Sequence, residues 1–290
     1  MAVPVTFLFD FEHTNDFSRP YIMHEFAANG AKHLVLSDTL IRQMLFDRNL
    51  AEKLRTEMAN EGLSFMDAHA HFGKYLDLNC PVPEARAEAV ARLKTQLYMI
   101  ASMGVNTITI HTGNETPYPE YDLEVQFDCI KRSLEELLPL AEELKITICI
   151  ENIWFKINTP ERLLAVKEAF PTDALGFCYD AGHAHLMKIP RDSPDSAPCR
   201  VWGDSVADAW DDAILEKMLP HVVNCHLHDN HGWNDEHLNP GSGTIDWKKI
   251  VSLLKKAPRL QVIQSEVIPV RAHTSVKELC DTFRDLLGGI

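Results

Sequence analysis

Carboxylate and imidazole side chains recur in this sequence, most of them where an apolar, strand-like run ends. Nine residues carry the pattern: His69, His111, Glu151, Asp180, His183, His226, Asp235, His237 and Glu266. Together these two side-chain types are the usual ligands of Zn²⁺ and Mn²⁺, and they also bind iron and cobalt. Because the pattern returns at strand after strand, it predicts strands whose ends meet around one polar, metal-binding centre.

The acidic members of the set support the metal interpretation. Three carboxylates on one rim, Glu151, Asp180 and Glu266, would repel one another without nearby cations, and histidines with a divalent ion relieve that repulsion. Taken singly, Glu151 and Glu266 could instead pair with Lys or Arg or cap a helix, and His111 could be a hydrogen-bonded rim histidine. The Asp180-x-x-His183 spacing is more specific, because it sets two ligand types across a sharp strand-to-helix turn.

Other histidines near these strand ends need a separate interpretation. His71 competes with His69 for the ligand role, and we favour His69. His185 and His228 are expected to support the ligands or to face the substrate. The residues predicted to bind substrate are His69, His183, His228 and Trp154, and further candidates for lining the pocket are Phe11, Glu12, His13, Phe155 and Trp233.

Short apolar runs, which would form the strands, alternate with longer amphipathic segments along the chain. The eight predicted strands are Val5–Phe9, His33–Ser37, Leu63–Ala68, Asn106–His111, Ile146–Glu151, Leu175–Asp180, Val222–His228 and Gln261–Glu266. Several are almost continuously apolar, as expected of strands that are buried on both faces of a parallel sheet.

Helical patterns fill the gaps between the strands. Helices are predicted over Pro83–Met103, Asp122–Leu144 and Thr274–Leu287, with Thr159 and Asp246 as N-caps of two more. Eightfold alternation of strand and helix predicts an α/β fold, a (β/α)8 TIM barrel, and such barrels place their active sites at the carboxyl ends of the strands. The segment Lys188–Ser205, rich in Pro, Asp and Ser, is predicted to be a long loop on the rim.

Composition narrows the class of protein. The chain has 290 residues, of which 46% are hydrophobic and 24% charged, and this is typical of a globular protein; we expect one domain over residues 1–290. No apolar run approaches the roughly 18 residues of a membrane-spanning helix, and the first residues lack a secretory signal. Seven cysteines without CxxC spacing indicate reduced thiols and a cytoplasmic location.

The net charge of −14 makes nucleic acid an unlikely partner, because phosphate contacts need clustered Lys and Arg. A small-molecule substrate is expected instead. No membrane partner is expected. The sequence is compatible with a homo-oligomer.

The sequence resembles the xylose-isomerase-like TIM-barrel superfamily. This group holds sugar phosphate isomerases and epimerases and the endonuclease IV type of apurinic-site nuclease. The resemblance covers nearly the whole chain and rests on an ordered set of motifs: His-Ala at 69–70, Ile-Glu-Asn at 150–152, Asp-x-x-His at 180–183, His-x-x-Asp at 226–229, and Asp-x-His followed by Pro-Gly-x-Gly at 235–243.

For the isomerase and epimerase members, the resemblance implies one divalent metal held by Glu151, Asp180, His226 and Glu266. The metal polarises the carbonyl of an open-chain sugar and stabilises the enediolate. The resemblance also implies that Glu151 and Glu266, besides binding the metal, act as acid and base. For the nuclease members it implies three zinc ions on nine ligands, so one to three ions are expected, and the further candidate ligands are His69, His111, His183, Asp235 and His237.

Three positions depart from the family's patterns. Ser242 stands where relatives often have Glu, Asn158 where some ketose 3-epimerases carry a second Glu, and His228 where Lys is frequent. These departures leave the substrate open: a small sugar, a sugar phosphate or a polyol.

A metal-dependent isomerase or epimerase is the leading functional hypothesis. The alternatives are a metal-dependent dehydratase of an inosose or dehydroshikimate-like keto acid, and a zinc phosphodiester hydrolase of the endonuclease IV type. A non-catalytic sugar-binding relative carries little weight, since all nine candidate ligands are present.

Overall fold

The computed structural model describes residues 3–10, 14–188 and 195–288. Eight strands pair in parallel in chain order, and the last pairs with the first to close a barrel. The strands are β1 (Val5–Phe7), β2 (His33–Leu36), β3 (Ser64–His69), β4 (Thr107–Ile110), β5 (Thr147–Glu151), β6 (Leu175–Asp180), β7 (Val222–Leu227) and β8 (Val262–Ser265). Every predicted strand is present, with ends shifted by two residues at most, and the predicted (β/α)8 fold is confirmed.

Helices surround the barrel and cross between its strands. Those of the described residues are α1 (Ser18–Ala28), α2 (Asp38–Phe46), α3 (Leu50–Asn60), α4 (Pro83–Ser102), α5 (Leu123–Leu144), α6 (Pro160–Ala169), α7 (Ala181–Leu186), α8 (Ala197–Trp202), α9 (Ile214–Met218), α10 (Trp247–Leu254), α11 (Pro269–Ala272) and α12 (Val276–Leu287). Short 3-10 turns occupy Lys156–Asn158, Gly203–Ala209 and Leu219–His221.

The helix starts follow from capping chemistry. The Thr159 hydroxyl accepts the amide N–H of Arg162 at the start of α6, and the Asp246 carboxylate accepts that of Lys249 at the start of α10, as predicted. The helix predicted from Thr274 begins instead at Val276, because Ser275 is its N-cap and forms a reciprocal capping box with Glu278.

The loop predicted over Lys188–Ser205 is wrong in its second half. Residues 189–194, which include Pro190 and Pro194, lie outside the described residues. After them the chain forms α8, in which the Ser196 hydroxyl accepts the amide of Cys199 and Pro198 occupies the first turn. Proline is compatible with the first turn of a helix, since the amide it lacks would have no partner there.

The sheet is buried on both faces and holds the core of the molecule. Every residue of β6 and β7 is buried. Phe7 of β1 packs between the surrounding helices. Its ring centroid lies 5.4 Å from that of Phe26 on α1 and 5.6 Å from that of Phe283 on α12. Burying each such side chain stabilises the fold by about 1.5–3 kcal/mol.

None of the helices in the described residues is long and apolar enough to cross a bilayer. All seven cysteines lie within the described residues and are free thiols, and six of them are buried.

Candidate metal centre

The strand ends bring the predicted ligands to one level of the barrel. In the register of the sheet, Asp180 on β6 is paired with His226 on β7, and Glu151 on β5 is paired with the residue two before Asp180. His69 ends β3, and Glu266 directly follows β8. Residues far apart in sequence therefore meet at the carboxyl-terminal mouth.

Four of the predicted ligands surround one point. The His226 Nδ1 atom lies 3.3 Å from Glu151 Oε1 and 3.4 Å from Glu266 Oε1. Asp180 Oδ2 is 3.9 Å from the same nitrogen. Ligand atoms about 2.1 Å from a tetrahedral ion stand about 3.4 Å apart, so these separations suit one shared divalent ion. His226 Nδ1 is buried and makes no hydrogen bond within the described residues, which also fits a ligand atom.

The other ring nitrogen of His226, Nε2, contacts a hydroxyl group inside the barrel. Its Nε2 atom lies 3.2 Å from the Thr109 hydroxyl. The Asn224 amide donates to that hydroxyl at 3.1 Å and to the buried Asp67 carboxylate at 2.6 Å. This chain of contacts fixes the ring so that Nδ1 faces the carboxylates, as partners of metal-binding histidines commonly do.

Three other histidines are oriented by the main chain. Nδ1 of His69 lies 2.8 Å from the Ala70 carbonyl, Nδ1 of His183 lies 3.0 Å from the Asn152 carbonyl, and Nδ1 of His237 lies 2.8 Å from the Glu266 carbonyl. A carbonyl only accepts, so each Nδ1 carries a proton, and Nε2 is the ring nitrogen that can bind a metal once its own proton is lost. Each of the three Nε2 atoms is therefore available as a ligand.

The remaining candidates form two groups beside the central four. His111 Nε2 is 3.0 Å from Glu151 Oε2, and the His69 and His111 rings are 5.0 Å apart. On the other side, Asp235 Oδ2 lies 2.9 Å from Nε2 of His237 and 3.5 Å from Nε2 of His183. The structure thus brings all nine predicted residues together, in sets with the chemistry of metal ligands.

His228 takes a position different from the substrate-facing one that we considered. It is fully buried beneath the rim and does not line the chamber, and its Nε2 lies 3.1 Å from Asp180 Oδ2. Asp180 Oδ1 accepts the amide of His183 at 2.6 Å, so both oxygens of this carboxylate are held. A Cβ atom on Gly182 would lie 2.0 Å from His228 Cε1, and only glycine leaves room for the ring.

Two further histidines point away from the centre. His71 Nε2 contacts the Asp38 carbonyl at 3.1 Å, so His69 rather than His71 joins the cluster. His185 is buried, with Nε2 2.9 Å from the Thr244 hydroxyl.

The cluster is strongly coupled through charge. Burial alone would raise the pKa of Glu151, but the neighbouring histidines, first of all His226, outweigh it and hold that pKa well below its ordinary value. Burial would lower the pKa of His237, but the carboxylates of Asp235 and Glu266 raise it to about 9. Glu151 is therefore ionised and His237 protonated in the metal-free chain, and a divalent ion that bound to His237 would displace the proton from its Nε2 atom.

A chamber of about 520 Å³ opens above the cluster. Trp154 lines it and meets the His183 ring edge to face at 4.9 Å, and Phe155 lies beside Trp154. Phe72, which our sequence reasoning missed, lies 4.6 Å from the His111 ring. Trp233 is 41% exposed and does not line the chamber, and the candidates Phe11, Glu12 and His13 lie outside the described residues.

A comparison with protein families shows which family the chain belongs to. Residues 24–268 match the family model described as a xylose isomerase-like TIM barrel. The chain belongs to the xylose isomerase-like TIM barrel family.

Two curated proteins resemble this xylose isomerase-like barrel in sequence. An uncharacterised protein of Methanocaldococcus jannaschii is 25% identical over 229 residues, covering 76% of this chain and 70% of that protein. A probable endonuclease 4 of Thermotoga maritima is 28% identical over 103 residues, covering 36% of this chain and 34% of that protein.

Two solved structures share the barrel. A D-tagatose 3-epimerase-like protein is 19% identical with a TM-score of 0.72, covering 99% of this chain and 98% of that one. The IOLI protein with a bound zinc atom is 16% identical with the same TM-score and the same coverage of both chains. At these identities the likeness concerns the fold.

The sequence did not predict several residues that support the candidate ligands of this xylose isomerase-like barrel. Thr109 and Asn224 lie inside strands with no local mark of function, and they meet only because the barrel closes. Asp67 had a signal, since a carboxylate two residues before His69 in a buried strand needs polar partners.

Proposed function

We propose that this protein is a metal-dependent isomerase or epimerase of a small sugar or polyol. The observation that carries the proposal is the pair Glu151 and Glu266. Both line the chamber, and their Oε1 atoms lie 3.3 and 3.4 Å from the same nitrogen of His226. Two carboxylates that converge on one polar point, in a chamber of a size that takes small ligands, suit proton transfer at carbon.

Glu151, Asp180, His226 and Glu266 would hold the ion, with Zn²⁺ or Mn²⁺ as the expected metals. When bound, it would supply polarisation of the substrate carbonyl and countercharge for the enediolate. Glu151 and Glu266 are assigned the proton transfers: one carboxylate removes the proton from the carbon beside the carbonyl, and the other returns one. The names of the two solved structures, an epimerase-like protein and a zinc-bound IOLI protein, support a sugar-directed and metal-dependent activity.

The surroundings support this assignment of roles. Asn152 positions the end of β6, since its side chain donates to the Asp180 carbonyl at 3.0 Å and accepts the Asp180 amide at 2.9 Å. His228 positions the Asp180 carboxylate. Trp154 and Phe155 offer apolar faces to the carbon side of a sugar and limit the access of water. The free state of all seven cysteines supports a cytoplasmic location.

The test is isotope exchange. The metal-loaded full chain is incubated in heavy water with a panel of ketoses and inososes, and deuterium is located by NMR. We expect deuterium at the carbon next to the carbonyl of at least one compound. Absence of deuterium from the whole panel would count against the proposal.

A second candidate is a zinc phosphodiester hydrolase. It is favoured by the set His69–His111–Glu151 and by Asp235, which lies within 3.5 Å of His183 and 2.9 Å of His237, since these residues would suit two further ions. It is also favoured by the partial match to an endonuclease 4. The net charge of −14 argues against a DNA substrate. Three zinc ions per chain together with cleavage of an abasic-site duplex would favour the hydrolase over the isomerase.

A further inference from the structure

The short helix α8 connects two loops that follow different strands of the barrel. At the carboxyl end of α8, the Trp202 indole N–H donates to the Trp154 carbonyl at 2.8 Å, in the loop after β5. At the amino end, the Ala197 amide donates to the Trp233 carbonyl at 2.9 Å, in the loop after β7. One helix therefore joins two loops that are far apart in sequence.

One of these two loops carries candidate metal ligands. We call residues 230–237 the β7 loop, since they follow β7 and include Asp235 and His237. The main chains of Asp229 and Leu238 close the base of this loop with hydrogen bonds of 2.7 and 2.9 Å. His237 has φ +53°, in the left-handed region that a residue with a side chain seldom adopts. Such a conformation persists only where the surrounding contacts hold it.

Helix α8 holds the tip of the β7 loop. The Arg200 guanidinium donates to Asn234 Oδ1 at 3.2 Å, beside the contact between Ala197 and Trp233. Among the residues that the structure describes, the Trp233 carbonyl and the Asn234 side chain hydrogen-bond to no other element. Asp235 is the next residue along the chain, so α8 sets where the carboxylate of this candidate ligand can lie.

The carboxyl end of α8 is fixed to the chamber wall. Trp154 lines the chamber, and its ring meets the His183 ring edge to face at 4.9 Å. The Lys156 ammonium lies 5.6 Å from the centroid of the Trp202 ring, a distance that suits a cation–π contact. The Lys156 amide in turn donates to Glu115 Oε1 at 3.2 Å, so this end of α8 is linked to the loop after β4 as well.

We infer that Trp202 and Arg200 are positioning residues of the candidate metal centre, and that through α8 they fix Asp235 relative to Trp154. Neither residue is a candidate ligand. Because a helix is a rigid element, a shift of either loop is passed to the other. The inference concerns the geometry of the centre and is the same for an isomerase and for a hydrolase.

Removing each contact of α8 in turn tests the inference. Trp202→Phe keeps an aromatic ring but removes the N–H that bonds to the Trp154 carbonyl, and Arg200→Met removes the donor to Asn234. Hydrogen exchange is followed by mass spectrometry on the metal-free full chain. We expect each variant to exchange about fivefold faster both in the loop that holds Trp154 and in the β7 loop, because the loss of one ordinary hydrogen bond raises local opening by about that factor.

Trp210→Phe, the same substitution just after the 3-10 turn over Gly203–Ala209, is the matched control and should leave both loops unchanged. If each variant loosens only the loop whose contact it removes, α8 does not connect the two loops and the inference falls. It falls as well if neither loop changes. Arg200 is exposed, so Arg200→Met should fold even if Trp202→Phe does not, and the loop that holds Trp154 then gives the result.

Zinc affinity tests the link to Asp235. Trp202→Phe should weaken zinc binding about tenfold in the wild-type background, as the loss of a supporting partner commonly does. It should have no effect in an Asp235→Asn background, because the ligand that α8 positions is then already lost. Affinity is measured by competition with a chromophoric chelator. An equal loss in both backgrounds, or no loss in the wild-type background, would contradict the inference.

Neither measurement uses a substrate. The proposed function is tested by isotope exchange, so it can fail while α8 still connects the two loops. If deuterium exchanges into a ketose but the two loops respond independently, the isomerase stands and this inference falls.

Discussion

The Nδ1 atom of His226 on β7 lies 3.4 Å from the Oε1 atom of Glu266, the residue that follows the neighbouring strand β8. The Glu266 carbonyl in turn accepts the Nδ1 proton of His237. One residue therefore serves the centre twice, with its side chain as a candidate ligand and base and with its main chain as the support of another candidate ligand. Substitution of Glu266 separates these two roles, because only the first depends on the side chain.

Glu266→Gln should therefore reduce deuterium exchange about 10²–10⁴-fold, the range expected when an acid–base group is lost. The measurement is the exchange rate, with the metal content determined on the same samples. Glu120→Gln, an exposed position, should exchange at the wild-type rate. Wild-type exchange by the Glu266→Gln chain would remove Glu266 from the mechanism.

Thr109→Val should weaken metal binding about 10–100-fold, because valine cannot hydrogen-bond to Nε2 of His226 and the ring loses its support. Affinity is measured by competition with a chromophoric zinc chelator. Thr95→Val is the control, since the Thr95 hydroxyl only donates to the Ala91 carbonyl on exposed α4. Equal affinities of the two variants would show that Thr109 does not orient the ligand.

Gly182→Ala should lower the free energy of unfolding by about 1–3 kcal/mol, the usual cost of overpacking, since the new Cβ would overlap the His228 ring. Adding His228→Ala removes the ring and with it the clash. We expect the double variant to be more stable than the sum of the two single effects. Additive losses in urea denaturation would contradict a direct collision.

The metal-free chain should lose stability as the pH rises from 6.5 towards 9. Burial lowers the pKa of His237, but Asp235 and Glu266 outweigh it and raise the pKa to about 9, above its ordinary value of 6.5. The resulting stabilisation is complete below pH 6.5 and is lost as the pH rises through 9. Urea midpoints of chelator-treated protein measure it, and a midpoint that does not fall would refute it.

Metal binding should show the opposite dependence on pH. The ion competes with the protons on the histidines, so binding should release protons and strengthen as the pH rises. Calorimetry in buffers of different ionisation enthalpy counts the released protons. Zinc affinity that is the same at pH 6 and pH 8 would mean that these histidines are not ligands.

The sequence predicted the barrel well because its signals are local. Each strand was marked by an apolar run and each candidate ligand by its place at the end of one, so His69, Glu151 and His226 could be selected without the structure. The expectation of a single domain over residues 1–290 stays a prediction.

The residues that the sequence did not predict depend on contacts between distant parts of the chain. Thr109 and Asn224 are 115 residues apart and touch only in the closed barrel. The position of His228 depends on the absence of a side chain at Gly182 on another strand end. Local patterns carry no information about such partners. The helix α8 is a different case, because its signals are local: Ser196 caps it and Pro198 stands in its first turn.

The carbonyls of Ala70, Asn152 and Glu266 that fix three histidines are present whatever side chain occupies those positions. Mutation can therefore change residues around the centre without loosening its imidazoles, provided that the local backbone keeps its path. In evolutionary terms, side chains of the chamber wall can be replaced while the backbone contacts of the centre stay the same. This arrangement lets residues of the chamber wall change while the orientation of the three histidines is kept.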